Sequence, residues 1–225
     1  MHLSCDSMYL CVGLDRPRFV GLVATFPYFA PEVVCIFVWA SVACVKRDPS
    51  KTIIARLLKM PRILELFSGT GSIGRAFNAI GWEVTSVDMD PRSRSAIIAD
   101  VMSWDYKAFE PGTFDCIWAS PPCTQYSRAR TTARTPRDLE GADRLVQRTL
   151  EIIAFHRPAA GFFLENPQSG LLKGRDVVSK LSFSDTSYCK YGYKYRKNTR
   201  IWHNNFDFEP ETMCCASSPC GAARV

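Results

Sequence analysis

The chain has 225 residues, 47% of them hydrophobic, enough to bury a full core, which argues against a disordered segment and for one domain of ordinary size. Its ten cysteines, at 5, 11, 35, 44, 116, 123, 189, 214, 215 and 220, lack the regular framework of a small secreted scaffold, so reduced thiols in an intracellular protein are expected. The formal net charge of +6 is uneven: residues 123–205 hold 15 Lys/Arg against 7 Asp/Glu, whereas 61–122 hold 5 against 8. That asymmetry suits a polyanion meeting one face, and equally a solvated charged surface.

Residues 1–59 differ from all that follows. The run 19–45 is almost wholly apolar, interrupted by Pro27, Pro31 and Glu32 and closed by Lys46-Arg47. Its clean portion, 33–45, is too short to span a bilayer. Three readings stand: a membrane anchor, an organelle-targeting leader, or a start placed upstream of the true one. The last is favoured, because Met60 directly precedes a complete first strand. The domain is therefore expected over 60–210, with a cysteine-containing tail over 211–225.

From Met60 the pattern is regular. Residues 62–67 predict a strand, Ser68-Gly69-Thr70-Gly71 a tight turn, and 72–80 a helix closed by Gly81. Gly69 and Gly71 allow close backbone approach to a ligand, and the helix amino terminus beyond them is expected to present unpaired N–H groups. This suits a nucleotide-like cofactor, although the loop lacks the third glycine of a dinucleotide fingerprint and the lysine of a P-loop. Gly74, inside the helix, reads as a packing glycine. A second strand, 82–87, ends at Asp88-Met89-Asp90, a carboxylate at the ribose-binding position of a doubly wound sheet. Asp88 alternatively caps the next helix; Met89 is placed to pack on an adenine. Residues 97–100 predict a short third strand whose Asp100 accepts from an adenine amino group.

The apolar run 114–119 reads as a buried parallel strand, and Pro121-Pro122 force the chain off the sheet at Cys123. A thiol beyond a strand's carboxyl end lies where open α/β sheets bind ligands, though a lone cysteine there is often an inert residue. Residues 124–137 form a basic loop with Arg128, Arg130, Arg134 and Arg137. Residues 138–155 carry helical spacing, and His156 is placed to complement that helix's carboxyl terminus. The strand 160–164 runs into Glu165-Asn166-Pro167, a second carboxylate on the same rim. Strands at 182–190 and 199–206 flank a stretch in which tyrosines interleave with Lys194, Arg196 and Lys197, suited to phosphate and base contacts or to a solvated hairpin. His203 with Cys214, Cys215 and Cys220 matches no good zinc signature, and no metal is expected.

In order, Leu64-Glu65-Leu66-Phe67-Ser68-Gly69-Thr70-Gly71, Val87-Asp88-Met89-Asp90, Ala99-Asp100-Val101, Ser120-Pro121-Pro122-Cys123-Thr124 and Leu164-Glu165-Asn166-Pro167 resemble the motifs of the cytosine-C5 DNA methyltransferase family. The resemblance implies a Rossmann-like class I methyltransferase fold, a mostly parallel seven-stranded α/β sheet with helices on both faces. It implies S-adenosylmethionine as cofactor, held by Phe67, Ser68, Gly69, Gly71, Asp88, Met89, Asp100 and Pro121. It further implies that Cys123 attacks cytosine C6 while Glu165 holds or protonates N3, on a base flipped from DNA. Residues 196–200 match the family's Gln-x-Arg-x-Arg motif loosely, so only Arg200 is carried over as catalytic. Arg128, Arg130, Arg134 and Arg196 are the expected nucleic-acid contacts of a monomer. RNA is an alternative substrate. An exocyclic-amino methyltransferase is a second reading, from Ser-Pro-Pro, and a non-catalytic cofactor- or DNA-binding protein a third, from the short stretch after Trp202.

Overall fold

The computed structural model describes residues 60–131 and 133–215; the apolar leader and Cys220 lie outside them. Nine main elements follow in order: β1 (Arg62–Leu66), α1 (Ser72–Ala79), β2 (Glu83–Asp88), β3 (Ile97–Ile98), β4 (Cys116–Ala119), α2 (Leu139–His156), β5 (Phe162–Pro167), β6 (Phe183–Ser187) and β7 (Asn198–His203). The strands form one sheet in the order β3-β2-β1-β4-β5-β7-β6. Pairing is parallel from β3 through β5, and β7 runs antiparallel to both β5 and β6. None of the helices among the described residues is long and apolar enough to cross a membrane.

Alternation along β1 sets the two layers. Ile63 joins a cluster with Ile73 and Phe77 of α1, Trp118 and Phe163, while Leu64 and Leu66 join Ile117, Ile152 and Ile153 on the α2 side. Helices thus cover both faces, as a parallel sheet with continuous apolar strands requires. Asp138 begins α2 by accepting from the Gly141 N–H at 2.7 Å, a side-chain cap satisfying one of the first turn's free donors.

Element ends moved where tertiary pairing intervened. β5 continues through Glu165, Asn166 and Pro167 because these residues pair with Ile201, Arg200 and Thr199 of β7. β3 stops at Ile98, since the Asp100 carbonyl accepts from Ser103 and Trp104 and turns the chain away. The expected strand at 182–190 ends at Ser187 and gives way to a 3₁₀ turn, Tyr188–Tyr191. Residues 211–215 pack on β6, with Thr186 donating to the Glu211 carbonyl at 2.7 Å and the Cys214 N–H donating to Ser187 Oγ at 3.0 Å. His156, at the end of α2, is fully buried against Phe114 and Phe155, and burial lowers its pKa.

Glu65 is the unexpected member of the sheet. Only 2% exposed, it faces α1 and accepts from the Gly74 N–H at 3.0 Å. Ile73 also donates to it, so first-turn donors expected to await a ligand are instead met from beneath. A Cβ at Gly74 would sit 2.6 Å from Glu65 Oε2 and 2.9 Å from Val84 Cγ1, which explains the packing glycine. Burial pushes the Glu65 carboxyl up to about 7, against the opposing pull of the two backbone N–H groups and Arg75. The folded state therefore holds this proton to higher pH than the unfolded chain, where a glutamate titrates near ~4.3. The stability tied to the neutral form is fully present below that value and is lost as pH rises through about 7. The total change is about 4 kcal/mol. Glu65→Gln is expected to flatten the fall in melting temperature between pH 5 and 8; an unchanged slope would assign that fall to other groups.

Candidate active site

The carboxyl ends of β1, β2, β4 and β5 share one rim. At β1 the chain leaves the sheet through Phe67, whose φ of 57° is rare for a side chain of this size. Gly69 at φ 51° and Gly71 at φ 70° continue the left-handed path, which costs glycine little. The buried Ser68 is tied to β2 through its N–H and the Val87 carbonyl at 3.2 Å. Asp88 Oδ2 accepts from the Gly69 N–H and Oδ1 from the Asp90 N–H, each at 2.8 Å. Asp88 thus braces the glycine loop, and each of its oxygens keeps one acceptor position. Met89 beside it is 69% exposed, an apolar side chain held in the open. Asp100 is exposed and accepts from Met102 through Oδ1.

Cys123 is exposed, unlike Cys116, Cys189 and Cys214. Its turn is fastened on both sides. The Ser120 N–H donates to the Leu66 carbonyl at 3.3 Å, tying the turn to β1, and Asn166 Nδ2 donates to the carbonyl of the buried Pro121 at 2.9 Å, tying it to β5. Beyond the cysteine, the Tyr126 N–H donates to the Cys123 carbonyl at 3.0 Å. Tyr126 is fully buried, with its hydroxyl on Asp143 of α2 at 2.8 Å, and Arg175 donates to the same carboxylate. Neither Asn166 nor this Tyr126-Asp143-Arg175 brace was assigned a role from sequence. Asn166 lay inside the quoted motif, whereas the brace joins residues too far apart in the chain to leave a local signal.

Glu165 lies on the strand next to Cys123's, since Ala119 of β4 pairs with Leu164 of β5. It is 7% exposed, with Lys197 Nζ 3.3 Å from its Oε1. Arg200, carried over from the family motif as catalytic, has an acidic partner on β6. It pairs directly across the sheet with Asp185, Nε to Oδ1 and Nη2 to Oδ2 both at 2.7 Å, and its guanidinium lies 3.6 Å from the Phe183 ring centroid. The basic loop divides similarly. Arg130 donates to Thr135 and the Pro136 carbonyl and Arg137 to the Gln125 and Ser127 carbonyls, closing the loop on itself, while Arg128 and Arg134 are exposed. Arg196 is half-buried and donates to Asn198.

A sheet with one reversed strand, a glycine loop braced by a strand-end carboxylate, and a second such acid on the neighbouring strand's path define a class I S-adenosylmethionine-dependent methyltransferase. The family model for C-5 cytosine-specific DNA methylases matches residues 61–196. A protein of Frog virus 3 (isolate Goorha) named "Probable DNA (cytosine-5)-methyltransferase" is 37% identical over 172 residues, covering 71% of this chain and 77% of that protein. Among solved structures, S. pombe Dnmt2 methyltransferase is similar at 17% identity and a TM-score of 0.47, over 68% of this chain and 53% of that one. The magnesium protoporphyrin IX methyltransferase of Synechocystis PCC 6803 follows at 11% identity and 0.41, over 67% and 72%. The chain belongs to the C-5 cytosine-specific DNA methylase family, whose reaction is methylation of cytosine C5 in DNA with S-adenosylmethionine. That membership sets aside the exocyclic-amino reading.

Proposed function

We propose that this chain methylates DNA cytosine through a covalent adduct, with Cys123 as nucleophile at C6 and Glu165 as the acid at N3. The observation that carries the reading is the pairing of an exposed thiol, on a turn fastened to β1 and β5, with a buried carboxylate on the adjacent strand. The chemistry calls for both. Cytosine C5 is a poor nucleophile until a thiolate adds at C6 and makes it enamine-like, and a proton at N3 disperses the charge that addition creates. Because C6 lies within the duplex stack, the base must leave it, and the exposed Arg128 and Arg134, with the half-buried Arg196, supply positive charge for the strand. Trapping on duplex DNA containing 5-fluorocytosine tests the reading, because fluorine at C5 blocks the elimination that frees the enzyme. A stable protein-DNA adduct is expected, and methyl transfer without any adduct would overturn the covalent route.

The rim chemistry fits an adenosine-bearing cofactor. Asp88 retains two acceptor positions for the ribose hydroxyls, the exposed Met89 offers an adenine contact, and Asp100 Oδ2 is left over for an amino group. In this reading Phe67, Ser68, Gly69, Gly71 and Pro121 complete the cofactor contacts. When bound, S-adenosylmethionine supplies an electrophilic methyl group on a sulfonium. Asp88→Ala is expected to weaken cofactor binding by about 10- to 100-fold, the scale of lost hydrogen bonds to a charged acceptor. Calorimetry checks it, and wild-type affinity in that variant would remove Asp88 from the ribose site.

A further inference from the structure

Glu165 must deliver a proton from a place nearly closed to water, so the source of that proton is a separate question from its delivery. Its enclosed oxygen, Oε1, has no hydrogen bond within the protein, yet Lys197 Nζ stands 3.3 Å away in ion-pair contact. The directed bond of the ammonium goes to the Tyr188 hydroxyl at 3.3 Å, and Nζ lies 4.4 Å from that ring's centroid. Tyr188 therefore aims Lys197 at the carboxylate while leaving N–H groups over. The Tyr188 N–H also donates to the Lys197 carbonyl at 3.0 Å, which holds the backbone of the pair together.

We propose that Lys197 stores the proton that cytosine N3 receives when Cys123 adds to C6, with Glu165 as the relay. The inference rests on the cysteine-adduct reading above. In an ammonium-carboxylate pair the proton sits on nitrogen, so the resting state is Lys197-NH₃⁺ with Glu165-COO⁻. The balance closes without an added reactant. The thiolate forms the S–C6 bond, the C5–C6 π pair moves onto the ring, N3 takes a proton from Glu165, and Glu165 takes one from Lys197. Lys197 ends neutral, Glu165 ends as the carboxylate it began as, and the ring carries no net charge. Reversal of the addition expels the thiolate as N3 returns its proton through Glu165 to Lys197. The Lys197 side chain is 37% exposed, against 9% for Glu165, so the ammonium can reload from water while the carboxylate cannot do so as readily.

The other ionisable groups around Glu165 do not fill this role. Burial drives the Tyr188 hydroxyl far above its ordinary range, aided by the Glu165 charge, so it stays neutral. Arg200 is locked to Asp185 on β6, and a guanidinium does not release protons in proteins. His203 of β7 is held between Ser184 and the Asn205 carbonyl and pairs across the sheet with Phe163. Cys123 is the nucleophile itself. Lys197 acts through Glu165 and is a positioning residue by location, distinguished from a mere counter-ion by giving up a proton.

Arginine separates the two roles, since it keeps the charge and cannot surrender the proton. The experiment uses the full chain, a duplex that the wild-type protein methylates, cytosine deuterated at C5, and no cofactor. Addition at C6 makes C5 enamine-like, so C5 takes a proton from water and gives up its deuteron to water before the thiolate leaves, and mass spectrometry reads the loss. Lys197→Arg is expected to bind the duplex within about 3-fold of wild type and to exchange at least ~10²-fold more slowly, as is Lys197→Met, the scale of a lost proton donor. Melting temperatures report whether both variants fold. Exchange by Lys197→Arg near the wild-type rate would reduce Lys197 to a counter-ion and overturn the proposal, and so would a fully active Lys197→Met. A wild-type protein that methylates DNA but exchanges as its variants do defeats this inference alone, whereas a wild type that forms no adduct on 5-fluorocytosine DNA defeats the covalent reading and this inference together.

Discussion

Cys123→Ser is expected to leave a folded protein that binds S-adenosylmethionine and DNA yet forms no adduct on 5-fluorocytosine DNA. The substitution removes one sulfur from an exposed turn whose fastenings, Ser120 to Leu66, Asn166 to Pro121 and Tyr126 to the Cys123 carbonyl, are all made by other atoms. Structure is therefore spared while chemistry is not, because a serine hydroxyl is far less nucleophilic than a thiolate. Loss of a nucleophile commonly costs roughly 10⁴- to 10⁶-fold in rate. Methyl transfer at the wild-type rate by this variant would exclude Cys123 as the nucleophile. Cys215, also exposed, serves as the control, and Cys215→Ser should trap as wild type does.

Glu165→Gln is expected to slow adduct formation by ~10²- to 10⁴-fold, the usual contribution of a positioned acid. Glutamine preserves the shape of the side chain and its place in β5 opposite Ile201, so the sheet is unchanged. It can still accept a hydrogen bond from the cytosine amino group, but it can neither carry a proton to N3 nor hold Lys197 by charge. Rapid-quench trapping with the cofactor saturating isolates this step from binding. A trapping rate within a few-fold of wild type would mean that Glu165 serves only to orient the base, and the search for the acid would turn to Lys197 acting directly.

Much of this site was legible before any coordinates. The glycine loop needs only local information, because Gly69 and Gly71 adopt left-handed φ values that few other residues tolerate. Cys123 was marked by two prolines that end a strand, and Asp88 by its distance from the loop. The order of these motifs along the chain was enough for the family, and the resemblance implied the mostly parallel sheet with helices on both faces that the fold shows. Sequence alone could not assign partners. It left first-turn donors of α1 to a ligand, whereas Glu65 meets them from the strand beneath, nine residues away in the chain but adjacent in space.

The cations of β7 show the division most clearly. Arg200 and Lys197 stand three positions apart in one basic stretch, and resemblance favoured the arginine. The reversed strand sorts their partners: lying between β5 and β6, β7 places Arg200 across from Asp185 in a bidentate pair, while Lys197, just before the strand begins, reaches Glu165. Residue identities, strand and helix periods and motif order are properties of neighbours along the chain, and the amino-acid sequence determined them. Which carboxylate each cation meets depends on the register between strands distant in the chain, and that only the tertiary structure could decide.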